Sequence, residues 1–147
     1  MKKIIVSFSF LLVAGISTAF AREDPGPDQK TLDLFKNEFK TAENVRWDKQ
    51  GEYDKATFLL LGRRVIAWFN TANQLEGCVR DIFFDQLPLT VMKAVDKRFA
   101  DADILAVSEI SNTEGTSYRI ILEVKNKKYN IKVGSAGNID DVEKLAK

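Results

Sequence analysis

The chain carries one pattern twice, and this repetition constrains its fold more than any figure of its composition. Phe39, in "FKTAENVRW", stands 60 positions before Phe99, in "FADADILAV", so Val45 matches Leu105 and Trp47 matches Val107. Further along, "FNTANQL" (69–75) stands 64 positions before "VGSAGNI" (133–139), and the change of offset falls in the loop around "SNTEGTS" (111–117). In the first copy Leu32, Phe35 and Phe39 recur at helical spacing over about 29–40. The strand segments that follow are 45–49, 53–61, 63–70 and 74–81. In the second copy "LPLTVMKAVDKRF" places Pro88 in a first helical turn and lines up Val91, Val95 and Phe99 as one stripe. Strand segments 103–110, 117–125 and 127–134 follow, then a short polar tail. Strands that come in hairpins, not singly between helices, point to an α+β fold. The expectation is one domain over 31–147, built of two tandem helix-plus-antiparallel-sheet repeats at about 31–82 and 87–139.

The hairpin "YDKATFLLLGRRVIAWFN" (53–70) is apolar on both of its faces. A two-residue loop at Gly62-Arg63 pairs Leu61 with Arg64, Leu59 with Ile66 and Thr57 with Trp68 on one face. The other face then pairs Leu60 with Val65, Phe58 with Ala67 and Ala56 with Phe69. The same construction on the second copy gives it a distinct inside (Ile120, Leu122, Val124, Tyr129, Ile131, Val133) and a mostly charged and polar outside. By register, the first copy's inside is Ala56, Phe58, Leu60, Val65, Ala67 and Phe69. Its outside carries Leu59, Leu61, Ile66 and Trp68. An apolar cluster of this kind marks an interaction surface with tryptophan as its anchor, unless the second repeat, the leader or a neighbouring strand covers it.

The N-terminus reads as an export signal: Lys2 and Lys3, the apolar run "IIVSFSFLLVAG", and a small-x-small site at Ala19-Phe20-Ala21. Cleavage after Ala21 removes residues 1–21 and leaves 126 of the 147 residues, beginning with a Pro/Gly-bearing leader at 22–30. The apolar run is short for a membrane span, so a periplasmic or secreted protein is expected. The mature chain has 20 basic and 21 acidic residues, a balance that gives no reason to expect nucleic acid or a membrane surface as partner.

The chain has no histidine, which removes Ser-His and Cys-His nucleophile pairs and histidine metal sites together. Cys78 is the sole cysteine, so the domain has no internal disulfide; it reads as a small apolar strand residue. Asp140-Asp141 and Asp101-x-Asp103 lie outside any "DxDxDG" loop, and Glu109 and Glu114 flank a polar loop without a further catalytic element. Arg63, Arg64, Lys127 and Lys128 read as solubilising charges beside the hairpin loops. No nucleophile elbow, phosphate loop or dinucleotide fingerprint is present.

The segments "FKNEFKTAENVRW", "GEYDKATFLLLGRRVIAWFNTANQL", "LPLTVMKAV" and "YRIILEVKNKKYNIKVGSAGNI" resemble the β-lactamase-inhibitor-like, PepSY-like family of small exported bacterial proteins. The likeness runs from about 31 to 139, with Ala72-Asn73 standing where the family commonly has a glycine. The resemblance implies a β-lactamase-inhibitor-protein-like (BLIP-like) fold and binding through an exposed sheet face. It does not carry β-lactamase inhibition over, because no inhibitory loop can be matched here. The sequence therefore points to a non-enzymatic exported module that holds a protein or peptide partner at Leu59, Leu61, Ile66 and Trp68, with no catalytic residue, metal or cofactor. Two alternatives stand beside it: a structural protein closing a homodimer through the same face, and a small-ligand carrier, which would need a concave pocket with converging polar groups.

Overall fold

Residues 26–146 are described by a computed structural model. The expected signal 1–21, its cleavage site and residues 22–25 of the leader lie outside the described residues. Helix α1 is Gln29–Glu38, so the last two residues assigned to the leader form its first turn. It is followed by strands β1 (Ala42–Gln50), β2 (Tyr53–Leu60), β3 (Arg63–Phe69) and β4 (Leu75–Ile82). After a 3₁₀ turn at Phe84–Gln86 come helix α2 (Leu89–Arg98) and strands β5 (Asp103–Asn112), β6 (Gly115–Val124), β7 (Lys127–Gly134) and β8 (Ile139–Lys144). All eight strands form one antiparallel sheet in sequence order.

Local chemistry explains the helix ends. The Asp28 carboxylate accepts the Thr31 amide at 2.9 Å, closing the first turn of α1. Thr31 is fully buried. The Asn73 side-chain amide, with its nitrogen turned inward, donates to the Asp28 carboxylate and the Thr31 hydroxyl at 2.8 Å, tying α1 to the β3–β4 turn. Pro88 caps α2 from just outside the helix rather than within its first turn. Phe39 and Phe99 end the two helices, each donating its amide to the carbonyl four residues back.

Both helices cover the same face of the sheet. Val65, buried under α1, stands in register with Arg80, then Glu109, then Tyr118 and Val133, which are buried under α2. Two cores result. Beneath α1, Phe35 packs edge-on against Phe58 (ring centroids 5.0 Å apart, 89° between planes) and Trp47 (5.2 Å, 69°), with Ala56, Val65, Ala67 and Phe69 buried beside them. Beneath α2 the core is mainly aliphatic: Val91 and Val95 lie on Val107, Ile120, Leu122, Ile131 and Val133. Leu60, predicted inside, is half-buried at the edge of the first core.

Two further expectations need correction. The tail expected after residue 134 contains β8, whose "IDDVEK" has little β-forming character by itself. Across from β7, Lys132 meets Asp141 and Ile131 meets Val142, so charge and packing complementarity make the strand. The hairpin loop is also one position earlier than Gly62-Arg63. Leu61 (φ 51°) and Gly62 (φ 74°) form it, as Lys125 (φ 50°) and Asn126 (φ 61°) do in the second copy. This turn needs positive φ at both central residues, and glycine or asparagine takes the second place. The pairs become Leu60–Arg63, Leu59–Arg64, Thr57–Ile66 and Lys55–Trp68. Opposed residues shift by two, so every strand residue keeps its predicted face.

The change of offset from 60 to 64 also has a structural form. Gln50 pairs with Tyr53 at the β1–β2 tip, and the corresponding pair in the second copy is Ile110–Ser117. The β5–β6 hairpin continues for two further pairs, Ser111–Thr116 and Asn112–Gly115.

Candidate functional site: the helix-free sheet face

Among the described residues no helix lies on the opposite face. One row across it reads Thr57, Ile66, Val79, Ile110; the next reads Lys55, Trp68, Gly77, Asn112. Trp68 is half-buried, and its indole N–H donates to Gln50 Oε1 at 3.0 Å, which fixes the ring between the β1–β2 tip and β4. Beside it lies an open depression of about 640 Å³. Gln50 and Tyr53 wall it on one side, Gly77, Val79 and Ile110 lie across the ring, and Asn112 and Arg119 close the far side. The far wall therefore includes the extra length of the β5–β6 hairpin.

A bulge shapes the centre. Trp68 faces Gly77 but Phe69 faces Leu75, leaving Glu76 as the extra residue. Gly77 lets β4 approach β5 closely: a Cβ at this position would stand 2.8 Å from the Ser111 carbonyl oxygen. Glu76 is turned onto Asn70, whose Nδ2 donates to its Oε1 at 2.5 Å.

The four residues singled out from sequence do not form one cluster. Trp68 lines the depression. Ile66 lies one row away between Thr57 and Val79. Leu59 lines a second shallow concavity of about 500 Å³ with Asn44, Val45, Arg46, Thr57 and Arg64. Leu61 is not on the strand face at all: it occupies the turn and is 87% exposed. Sequence reasoning missed Tyr53, Val79, Ile110 and Arg119. Two signals were available at the offset of 64, where Gly77 and Val79 correspond to Asp141 and Glu143. The same offset sets Trp68, Ile66 and Leu59 against Lys132, Asn130 and Glu123, while Thr57 against Ile121 runs the other way.

The helix-covered face holds the remaining reactive groups. Arg80 Nη2 meets Glu109 Oε1 at 2.9 Å, in the strip between the two cores. Cys78 lies beside this pair, half-buried; burial pushes its thiol pKa up, and Glu109 adds to the shift against the opposing charge of Arg80. Burial likewise raises the Tyr118 phenol. Glu109 is thus engaged by Arg80, while Glu114 sits at the β5–β6 tip, so the two carboxylates do not converge. Among the described residues no group of three or more Cys, Asp or Glu side chains is placed to hold a metal ion, and no helix is long and apolar enough to cross a membrane.

The two helices and eight-stranded antiparallel sheet define an α+β, BLIP-like fold, shared with solved structures. A BLIP-like protein of Bacteroides fragilis superposes with a TM-score of 0.72 at 19% identity, covering 84% of this chain and 89% of the other. A DUF2874 family protein of Bacteroides uniformis gives 0.72 at 20% identity, covering 80% and 89%. A candidate periplasmic protein of Bacteroides eggerthii gives 0.73 at 21% identity, covering 82% and 90%. At these identities the likeness is one of fold. No protein-family model and no curated protein matches the chain.

Proposed function

We propose that this protein is a non-enzymatic binding module of the periplasm that docks a protein or peptide partner on its helix-free sheet face, with Trp68 as the anchor. The observation that carries this reading is the difference between the two copies: Trp68, Ile66, Leu59 and Val79 stand where the second copy has Lys132, Asn130, Glu123 and Glu143. Both copies use the opposite face for their cores, so core packing gives no reason for this difference. Trp68 is held by Gln50 before any partner arrives, which lowers the ordering cost of using its ring as a contact. Tryptophan beside smaller apolar groups, within a polar rim, is the composition of an interface centre. The BLIP-like and candidate periplasmic neighbours, with the N-terminal export pattern, support the class and the compartment.

The test is capture from native envelope extract on immobilised mature protein, comparing wild type with Trp68→Lys, the residue of the second copy. The variant must keep its circular dichroism and melting temperature. Loss of a specific bound protein supports the reading. Retention of every captured protein by the folded variant refutes it, and a solution mass of two chains that drops to one in the variant assigns the face to self-association instead.

A further inference from the structure

Resting on the docking role of this face, we infer that the polypeptide segment it takes carries an Asp or Glu side chain next to a large apolar one. The apolar side chain lies against Trp68, Tyr53, Val79 and Ile110, and the carboxylate lies on Arg119. The charges around the depression lead to this assignment. On the helix-free face, two cations of the neighbouring strands already have carboxylates. Arg64 holds Asp81 through two bonds at 3.0 and 3.3 Å, and Lys55 is 3.6 Å from Asp48.

Arg119 has no such partner. It is exposed, it lines the depression, and no carboxylate lies within 4.0 Å of it among the described residues. Its neighbours across the ladders are Ser108 and Lys132, one neutral and one of like charge. The depression's own carboxylate, Glu76, is engaged by Asn70. An uncompensated guanidinium beside apolar walls selects for an anion, and its planar fork fits a carboxylate with two parallel bonds. Complementarity of this kind fixes which segment docks and in which orientation, more than how tightly it is held.

The experiment selects disulfide-closed random loops, displayed internally so that no free C-terminus is offered, on the immobilised mature protein. A synthetic copy of the leading loop is then titrated against wild type, Trp68→Lys and Arg119→Glu. Arg119→Gln stands in if the charge reversal impairs folding. The selected loops should be enriched in Asp or Glu within two positions of an aromatic or long aliphatic residue. Affinity should fall about tenfold or more with either substitution. A loop whose acid is replaced by lysine should recover binding to Arg119→Glu. Loops that depend on Trp68 but show no acidic enrichment and ignore Arg119→Glu overturn the assignment and leave the docking role standing. If no selected loop depends on Trp68, both fall.

Discussion

Gly77 links the fold to the site, and replacing it with alanine tests the geometry of both. An ideal Cβ there would lie 2.8 Å from the Ser111 carbonyl oxygen, 3.2 Å from Asn112 Cβ and 3.4 Å from Asn112 Cα. The nearest of these is main chain, so no rotamer change relieves it; β4 and β5 must part locally. Overpacking of this kind costs about 1–3 kcal/mol. Alanine returns about 0.4–1 kcal/mol by restricting the unfolded chain, so near the middle of both ranges the net loss is about 1–2 kcal/mol. With an unfolding entropy of about 2.1 cal/mol/K per residue over about 120 residues, the melting temperature should fall by about 4–8 °C. Circular dichroism melts at pH 7 measure this. Trp68 emission should also change, because Gly77 faces Trp68 across the β3–β4 ladder. Gly62→Ala is the control: it meets nothing within 4 Å, so its cost comes from φ +74° alone. That cost should be about 1 kcal/mol, with Trp68 emission unchanged. A Gly77→Ala protein that melts within about 1 °C of wild type would show that the close approach does not exist, and with it the shape assigned to the depression.

Three further outcomes follow from the same structure. Leu61 is 87% exposed and sits at φ 51°, so Leu61→Asn should raise the urea midpoint by the equivalent of about 0.5–1 kcal/mol, and a lower midpoint would refute the turn assignment. The Thr31 amide, followed by other hydrogen bonds, holds the Asp28 carboxyl below its ordinary value of 3.8, so its contribution is complete above that value and is lost as pH falls through the lower folded value. Asp28→Ala should therefore lower the melting temperature more at pH 7 than in strong acid; a deficit of equal size at both pH values contradicts a cap made by the carboxylate. Burial raises the Cys78 thiol, so reaction with an aromatic disulfide reagent at pH 8 should run about tenfold or more slower in the native protein than in urea, and equal rates would place the thiol in solvent.

What the sequence revealed and what it hid follow from how each feature is encoded. Phe35, Phe58, Phe69, Val91 and Val95 declare the cores because periodicity is local and one buried face is enough to show it. The surplus apolar residues at Ile66 and Trp68 were legible because the chain supplies its own comparison at Asn130 and Lys132. The turn was misplaced by one residue because glycine can fill either central position of a two-residue loop, and only the backbone shows that Leu61 shares it. Strand β8 escaped because Asp140, Asp141 and Glu143 deny it any strand-like composition; it depends on Lys132 and its neighbours across the ladder. The depression was least accessible of all. Tyr53, Trp68, Val79, Ile110 and Arg119 come from five different strands, and only register and the bulge at Glu76 bring them together.

The two extra pairs of the β5–β6 hairpin separate two properties that chains of this size usually find hard to vary independently. Growth at a hairpin tip leaves every pair nearer the core in place, and two residues per strand extend it by about 7 Å while keeping the same side chains up and down. The height of the wall beside Trp68 is therefore adjustable in whole steps, without repacking either aromatic or aliphatic interior. Lengthening or trimming that tip would change what the concavity admits while the folding problem stays the same. Under the proposed docking role, the length of this one hairpin is where a change of partner could be made without a change of fold.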